Sequence, residues 1–219
     1  MLLTPGKPEV DYSLYLVTDS ALSCGRSLPD IVRAAVEGGV TCVQVREKDV
    51  PSRAYIERLL PVRPLLRARG IPLFVNDRVD VALAVEADGV HLGQTDMPLG
   101  LARRIAAGRL LVGVSCETVQ DATDAERGGA DYVSVSPVFA TATKTDTAPA
   151  LGLDGVRATR RAVRLPVGAI GGINGTNAGD IIRAGADGIC VVSAIVSAPD
   201  PRAAAATLRE IVERARHGT

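Results

Sequence analysis

Eight short apolar runs, each followed by a longer stretch rich in Ala, Arg, Leu and Glu, limit what this 219-residue chain can fold into. The runs are 13–18 (SLYLVT), 41–45 (TCVQV), 72–75 (PLFV), 88–92 (DGVHL), 110–114 (LLVGV), 131–136 (DYVSVS), 166–170 (PVGAI) and 187–192 (DGICVV). They are apolar nearly throughout rather than alternating, as parallel strands buried on both faces must be. The stretches between them read as helices, so the chain is a series of βα units. An internal repeat points the same way. Glu37-Gly38-Gly39-Val40, Ala87-Asp88-Gly89-Val90, Gly129-Ala130-Asp131 and Gly185-Ala186-Asp187 each precede a run. Each reads as a helix end closed by a small residue, then an immediate strand start.

Eight βα units form either a closed barrel or an open doubly wound sheet. The open sheet usually carries G-x-G-x-x-G after its first strand, whereas the first run here leads into Thr18-Asp19-Ser20. The expectation is therefore an α/β fold, a single (β/α)₈ TIM barrel with parallel strands over residues 1–219. A short N-terminal extension to about residue 11 precedes it. Barrels of roughly 200–250 residues are ordinary, and a hydrophobic content of 47% is enough for a sizeable core.

Lys+Arg and Asp+Glu both number 25, so the formal net charge is zero. Such a balance argues against bulk attraction to nucleic acid or an anionic membrane. Small molecules are the expected partners, and the oligomeric state stays open. Cys24, Cys42, Cys116 and Cys190 form no C-x-x-C pair, and Cys42 and Cys190 sit in apolar runs. Reduced structural thiols are expected. The first eight residues lack the basic-then-apolar plan of a signal peptide, and no apolar run reaches the ~18 residues of a membrane helix. A cytoplasmic protein is the default expectation.

In a barrel, chemistry sits where strands end. The polar residues collect there: Gln44, Arg46 and Lys48 after strand two, Asn76 and Asp77 after three, His91, Gln94 and Asp96 after four, Ser115 at five, Thr141, Thr143 and Lys144 after six, Gly171 and Gly172 after seven, Val192 and Ser193 after eight. Arg46 and Lys48 have the same parity on an extended segment and point one way. With Lys144 they would place three cations over one mouth, suited to phosphate oxygens. Asp77 and Asp96 beside those cations suggest Mg²⁺ shared with substrate phosphates. Either carboxylate alone could instead cap the helix that follows it. Gly171-Gly172 and Ser193 fall where many barrels bind phosphate through backbone N–H groups. The segment 140–150 is long for a barrel loop and Thr-rich, as lids often are. A lone strand histidine such as His91 is more often structural than functional.

The motifs VQVREKD, FVNDRVDVAL, DGVHLGQTD, VGVS, DYVSVSPVFATATKTD, AIGGI and VVSAI, in this order, resemble the thiamine phosphate synthase family. The resemblance runs from Tyr15 to Ile195. It implies condensation of 4-amino-2-methyl-5-hydroxymethylpyrimidine diphosphate with thiazole phosphate, giving thiamine phosphate and pyrophosphate, with Mg²⁺ as cofactor. It implies that Gln44 and Ser115 face the aminopyrimidine, and that Arg46, Lys48, Asn76 and Lys144 hold its pyrophosphate. Asp77 and Asp96 would bind the metal. Thr141, Thr143, Gly172, Val192 and Ser193 would hold the thiazole phosphate. Arg46, Lys48, Lys144 and Ser115 would carry catalysis. The chain departs from the family pattern at Glu117, where His is frequent, and at Ala140, where Pro is frequent.

The implied chemistry agrees with what is missing. A benzylic-type carbon on an amine-bearing ring ionises readily, so no Ser/His/Asp or Cys/His set is needed. The protein must instead stabilise departing charge, hold the attacking nitrogen in line and keep water out. Two other readings fit less of the pattern. A thiazole tautomerase on the same barrel would need the Gly172 and Ser193 side but not the pyrophosphate set. The second is a non-catalytic phosphate-ligand-binding barrel.

Overall fold

All eight apolar runs are strands of one closed parallel barrel, in the order β1-β2-β3-β4-β5-β6-β7-β8. The computed structural model describes residues 9–141 and 149–218. The strands are β1 Leu14–Val17, β2 Cys42–Val45, β3 Leu73–Asn76, β4 Gly89–Leu92, β5 Leu111–Cys116, β6 Tyr132–Val135, β7 Val167–Ile170 and β8 Gly188–Val191. The helices are α1 Leu28–Glu37, α2 Ser52–Leu59, α3 Val62–Arg67, α4 Val79–Ala84, α5 Leu99–Ala106, α6 Val119–Arg127, α7 Gly152–Ala162, α8 Ala178–Arg183, α9 Ser193–Val196 and α10 Pro201–His217. A 3₁₀ turn at Ser20–Leu22 precedes α1.

Strand parity divides the apolar residues into two cores. Leu14, Leu16, Val43, Val75, Val90, Val112 and their equivalents face outward and pack with helix residues such as Ile31, Leu66, Ala102 and Leu208. Tyr15, Val17, Cys42, Phe74, Leu111, Tyr132 and Cys190 face inward, and Tyr12 joins them from just before β1. The chain has only six aromatic residues, four Tyr and two Phe, and four of them fill the barrel interior. Tyr12 and Tyr132 have ring centroids 4.6 Å apart, and Phe74 meets Tyr132 edge-on at 5.4 Å. Two inward strand glycines make room for them. A Cβ on Gly113 would lie 2.0 Å from the Tyr132 ring, and one on Gly89 would lie 2.3 Å from Phe74.

The repeat at the helix-to-strand junctions has a physical purpose. Asp88, Asp131 and Asp187 each accept a hydrogen bond from a backbone N–H at the start of the preceding strand, at Leu73, Val112 and Val167. Thr41 does the same for Leu14. A strand-start donor of every odd strand is thus satisfied at the barrel floor by the residue just before the next, even strand. Arg63, Arg103 and Arg160 pair with the three aspartates. Gly39, Gly129 and Gly185 take the left-handed turn before the strand. Before β4 the expectation of a small closing residue fails. Glu86 takes the left-handed turn there, while Gly89 lies inside the strand because Phe74 occupies the space its Cβ would need.

Among the described residues no helix is long and apolar enough to cross a membrane.

Candidate active site

The C-terminal ends of the strands surround two adjoining cavities. The first, of about 610 Å³, is lined by the ends of β7 and β8, including Gly171, Gly172, Val192 and Ser193, with Ala140 and Thr141 from the segment after β6. The second, of about 280 Å³, is lined by Gln44, Lys48, Asn76, Asp77, His91, Gln94, Asp96, Ser115 and Glu117. Arg46 lines both. The residues that the resemblance assigns to the pyrimidine and its pyrophosphate thus gather in one cavity, and those it assigns to the other phosphate gather in its neighbour. Thr143 and Lys144 lie outside the described residues.

Arg46 follows β2, where its N–H donates to Thr18 Oγ1. Its guanidinium donates to Asp19 Oδ2 at 2.9 Å. Asp19 lies within the stretch the resemblance covers but had no expected role, and this pairing sets where Arg46 points. The neighbouring Glu47 side chain turns away from the mouth, bonded by Ser20 and Arg58. This leaves Arg46 and Lys48 on the cavity side, as alternation along an extended segment requires.

Lys48 Nζ lies 2.5 Å from Asp77 Oδ2. The Asp77 and Asp96 carboxyls lie within hydrogen-bonding reach of each other, and burial and then the nearby Asp96 push Asp77 up to about 6. Although burial opposes it, Asp96 is held below the usual carboxylate range by the bond from Asp77, the Gly93 N–H and Lys48. Neither carboxylate caps a helix. Arg78 and Pro98 occupy the capping positions of α4 and α5 and make no side-chain cap, while Asp96 accepts from the Gly93 N–H at 2.7 Å. Asp77 also holds a left-handed backbone at φ 62°, a strained position for a non-glycine residue and one that recurs at functional sites. Two partly buried carboxyls in contact need either a shared proton or a cation between them. Beside them, Asn76 Nδ2 is buried with no partner, a donor aimed at nothing the protein supplies.

Among the described residues, no group of three or more His, Cys, Asp or Glu side chains gathers as a metal site. The carboxylate pair alone fits a hard divalent cation that takes its other oxygens from substrate and water, as Mg²⁺ does.

His91 is buried and makes two hydrogen bonds, Nδ1 to Tyr132 Oη at 2.8 Å and Nε2 to Ser115 Oγ at 2.9 Å. Burial pushes it down to about 4, so it is neutral. It is both structural and a neighbour of the site. Gln94 Nε2 donates to the Ser115 carbonyl. Glu117 lines the second cavity, and its N–H donates to Asp121 Oδ2. On the other side, Gly171 and Gly172 hold φ 106° and 64°, and a Cβ on Gly172 would lie 2.7 Å from the Ala140 carbonyl. Only glycine suits this backbone, which brings main-chain groups directly to the cavity. Asn177 Nδ2 secures the turn on the Gly172 carbonyl.

The thiamine monophosphate synthase family model matches residues 14–195. A thiamine-phosphate synthase of Chloroflexus aurantiacus is 57% identical over 203 residues, covering 93% of this chain and 94% of the relative. One from Albidiferax ferrireducens is 52% identical, covering 91% of each. The solved thiamine phosphate pyrophosphorylase of Pyrococcus furiosus superposes with a TM-score of 0.87 at 43% identity, covering 94% of this chain and 98% of that one. A solved 3-hexulose-6-phosphate synthase, 20% identical with a TM-score of 0.67, shares the barrel fold.

Proposed function

The chain belongs to the thiamine monophosphate synthase family, and from that premise we propose that it joins an aminopyrimidine methyl diphosphate to thiazole phosphate, releasing pyrophosphate. The observation that carries this reading is the pair of adjoining cavities with Arg46 on both. A thiazole tautomerase or a phosphate sensor would use the first cavity and would leave the cations and the carboxylate pair of the second without work.

The aminopyrimidine lies in the second cavity against Gln44 and Ser115, its diphosphate toward Arg46, Lys48 and the unpartnered Asn76 amide. Asp77 and Asp96 would hold Mg²⁺, which would supply positive charge to offset the diphosphate. Arg46 and Lys48 stabilise the leaving group as the carbon–oxygen bond breaks and its electron pair departs with pyrophosphate. The ring amine delivers electron density to the carbon left behind. The thiazole phosphate is held by Gly172, Val192, Ser193 and Thr141 in the first cavity, and its ring nitrogen, which carries no proton, forms the new carbon–nitrogen bond. No side chain must act as nucleophile. The resemblance alone assigns Thr143 to the thiazole phosphate and Lys144 to the leaving pyrophosphate. The small-molecule cavities support action on small metabolites, and the zero net charge offers no bulk attraction to nucleic acid or an anionic membrane.

Pyrophosphate release from the purified chain, with both substrates and Mg²⁺, tests the reading. It should require both substrates and stop with EDTA. Thiazole isomerisation without pyrophosphate release would favour the tautomerase instead.

A further inference from the structure

The Gln44 and Ser115 side chains belong to β2 and β5, but a continuous line of hydrogen bonds crosses the barrel between them. Gln44 Nε2 donates to Tyr15 Oη at 3.2 Å. Tyr15 Oη lies 2.9 Å from Tyr132 Oη. Tyr132 Oη lies 2.8 Å from His91 Nδ1, and His91 Nε2 lies 2.9 Å from Ser115 Oγ. Gln44, Tyr15, Tyr132 and His91 are all at least nine-tenths buried, so water does not scramble the line.

Donor and acceptor capacity gives this line a direction. The amide nitrogen of Gln44 carries only hydrogens, so Tyr15 accepts there and sends its single proton to Tyr132. The Cys42 thiol beside Tyr15 is too weak an acceptor to divert it. Tyr132, already accepting, gives its proton to Nδ1 of His91. A neutral imidazole then carries its proton on Nε2 and donates it to Ser115. The Ser115 hydroxyl proton is left for an acceptor in the second cavity.

We propose that Tyr15, Tyr132 and His91 are positioning residues that set Ser115 as a hydrogen-bond donor and tie its polarity to the orientation of the Gln44 amide across the barrel. The inference rests on the proposed reading in one respect: the acceptor facing Ser115 is a ring nitrogen of the aminopyrimidine. The amide and the hydroxyl then recognise opposite parts of one ring as a single unit. Turning the amide over inverts every bond in the line and leaves Ser115 with its lone pairs toward the ligand.

The chain has two histidines, so ¹⁵N-histidine NMR of the full chain, free of ligand, reads the His91 tautomer directly. The native chain should show His91 protonated on Nε2. Gln44→Glu at about pH 9 puts an acceptor-only group at the head of the line, and Arg46 and Lys48 on the same cavity favour its ionised form. It should move the His91 proton to Nδ1, though residue 44 does not touch the imidazole. Adding Tyr132→Phe, or Tyr15→Phe if that variant folds poorly, cuts the line, and the tautomer should then ignore residue 44. A native His91 protonated on Nδ1 or on both nitrogens, or a tautomer unchanged by Gln44→Glu, overturns the proposal. A tautomer that still follows residue 44 after the line is cut overturns it too. Pyrophosphate release is read separately. A tautomer switch without turnover leaves the relay standing and removes the functional reading, and turnover without a switch does the reverse.

Discussion

The Arg46 guanidinium donates to Asp19 at 2.9 Å, and both side chains are largely buried, 20% and 16% exposed. Arg46 stands where the two cavities meet, which on the proposed reading is the point where both substrates carry negative charge. Asp19→Ala should leave the cation in place but release its direction. We expect a loss of roughly tenfold in kcat/KM, with KM rising for both substrates. Arg46→Ala should cost far more, about 2–4 kcal/mol of transition-state stabilisation. Steady-state kinetics on both variants check this. Equal losses would mean that Asp19 does something other than orient Arg46.

The carboxylate pair gives a second expectation. Asp77→Asn removes one of two carboxyls in contact, relieving repulsion while also removing a metal ligand. Thermal melts without metal should show the variant at least as stable as the native chain. Mg²⁺ should raise the native melting temperature, as any ligand bound only to the folded state does, and should leave the variant unchanged. Pyrophosphate release should fall by roughly 100-fold or more. A variant that keeps both its turnover and its Mg²⁺ response would remove Asp77 from the metal site.

His91 predicts a pH dependence of stability. Its folded value of about 4 lies below the ordinary 6.5 because burial disfavours the cation. Below the ordinary value the unfolded chain takes the proton first. Stability is therefore complete above about pH 6.5 and is lost as pH falls toward 4, by roughly 3 kcal/mol in all. Denaturant titrations of the native chain and His91→Gln over that range check this. The difference between the two curves isolates His91 from other titrating groups. A constant difference would show that the imidazole is not held neutral.

The barrel interior offers a test of the fold itself. Gly113→Ala places a methyl where the Tyr132 ring lies, and overpacking of this kind costs about 1–3 kcal/mol. Tyr132 also carries the line to His91, so the ring cannot shift without disturbing Ser115. Urea unfolding should show the loss, and kcat/KM should fall with it. Wild-type stability in the variant would contradict the packing.

The strands were legible because parallel strands buried on both faces are apolar on both faces, and Val43 and Cys42 announce themselves equally. The mouth was legible because Arg46, Lys48, Asp77 and Asp96 follow strand ends, where a barrel gathers them whatever the length of the helices between. The alternative of helix capping for Asp77 and Asp96 fell only to geometry. Three things were not legible. Asp19 gave no signal because its partner is 27 positions away. The Tyr15–Tyr132 contact spans 117 positions, and only barrel closure brings β1 and β6 to face each other. At Glu86 a local rule failed because a charged residue took the left-handed turn expected of a small one, while the nearby Gly89 serves packing against Phe74 instead.

The central claim is that two substrates sit side by side and meet at Arg46, and initial rates over a grid of both substrate concentrations test it most directly. The account predicts intersecting double-reciprocal lines, with inorganic pyrophosphate competing against the pyrimidine diphosphate and not against thiazole phosphate. Parallel lines, or pyrophosphate competing only against thiazole phosphate, would contradict it.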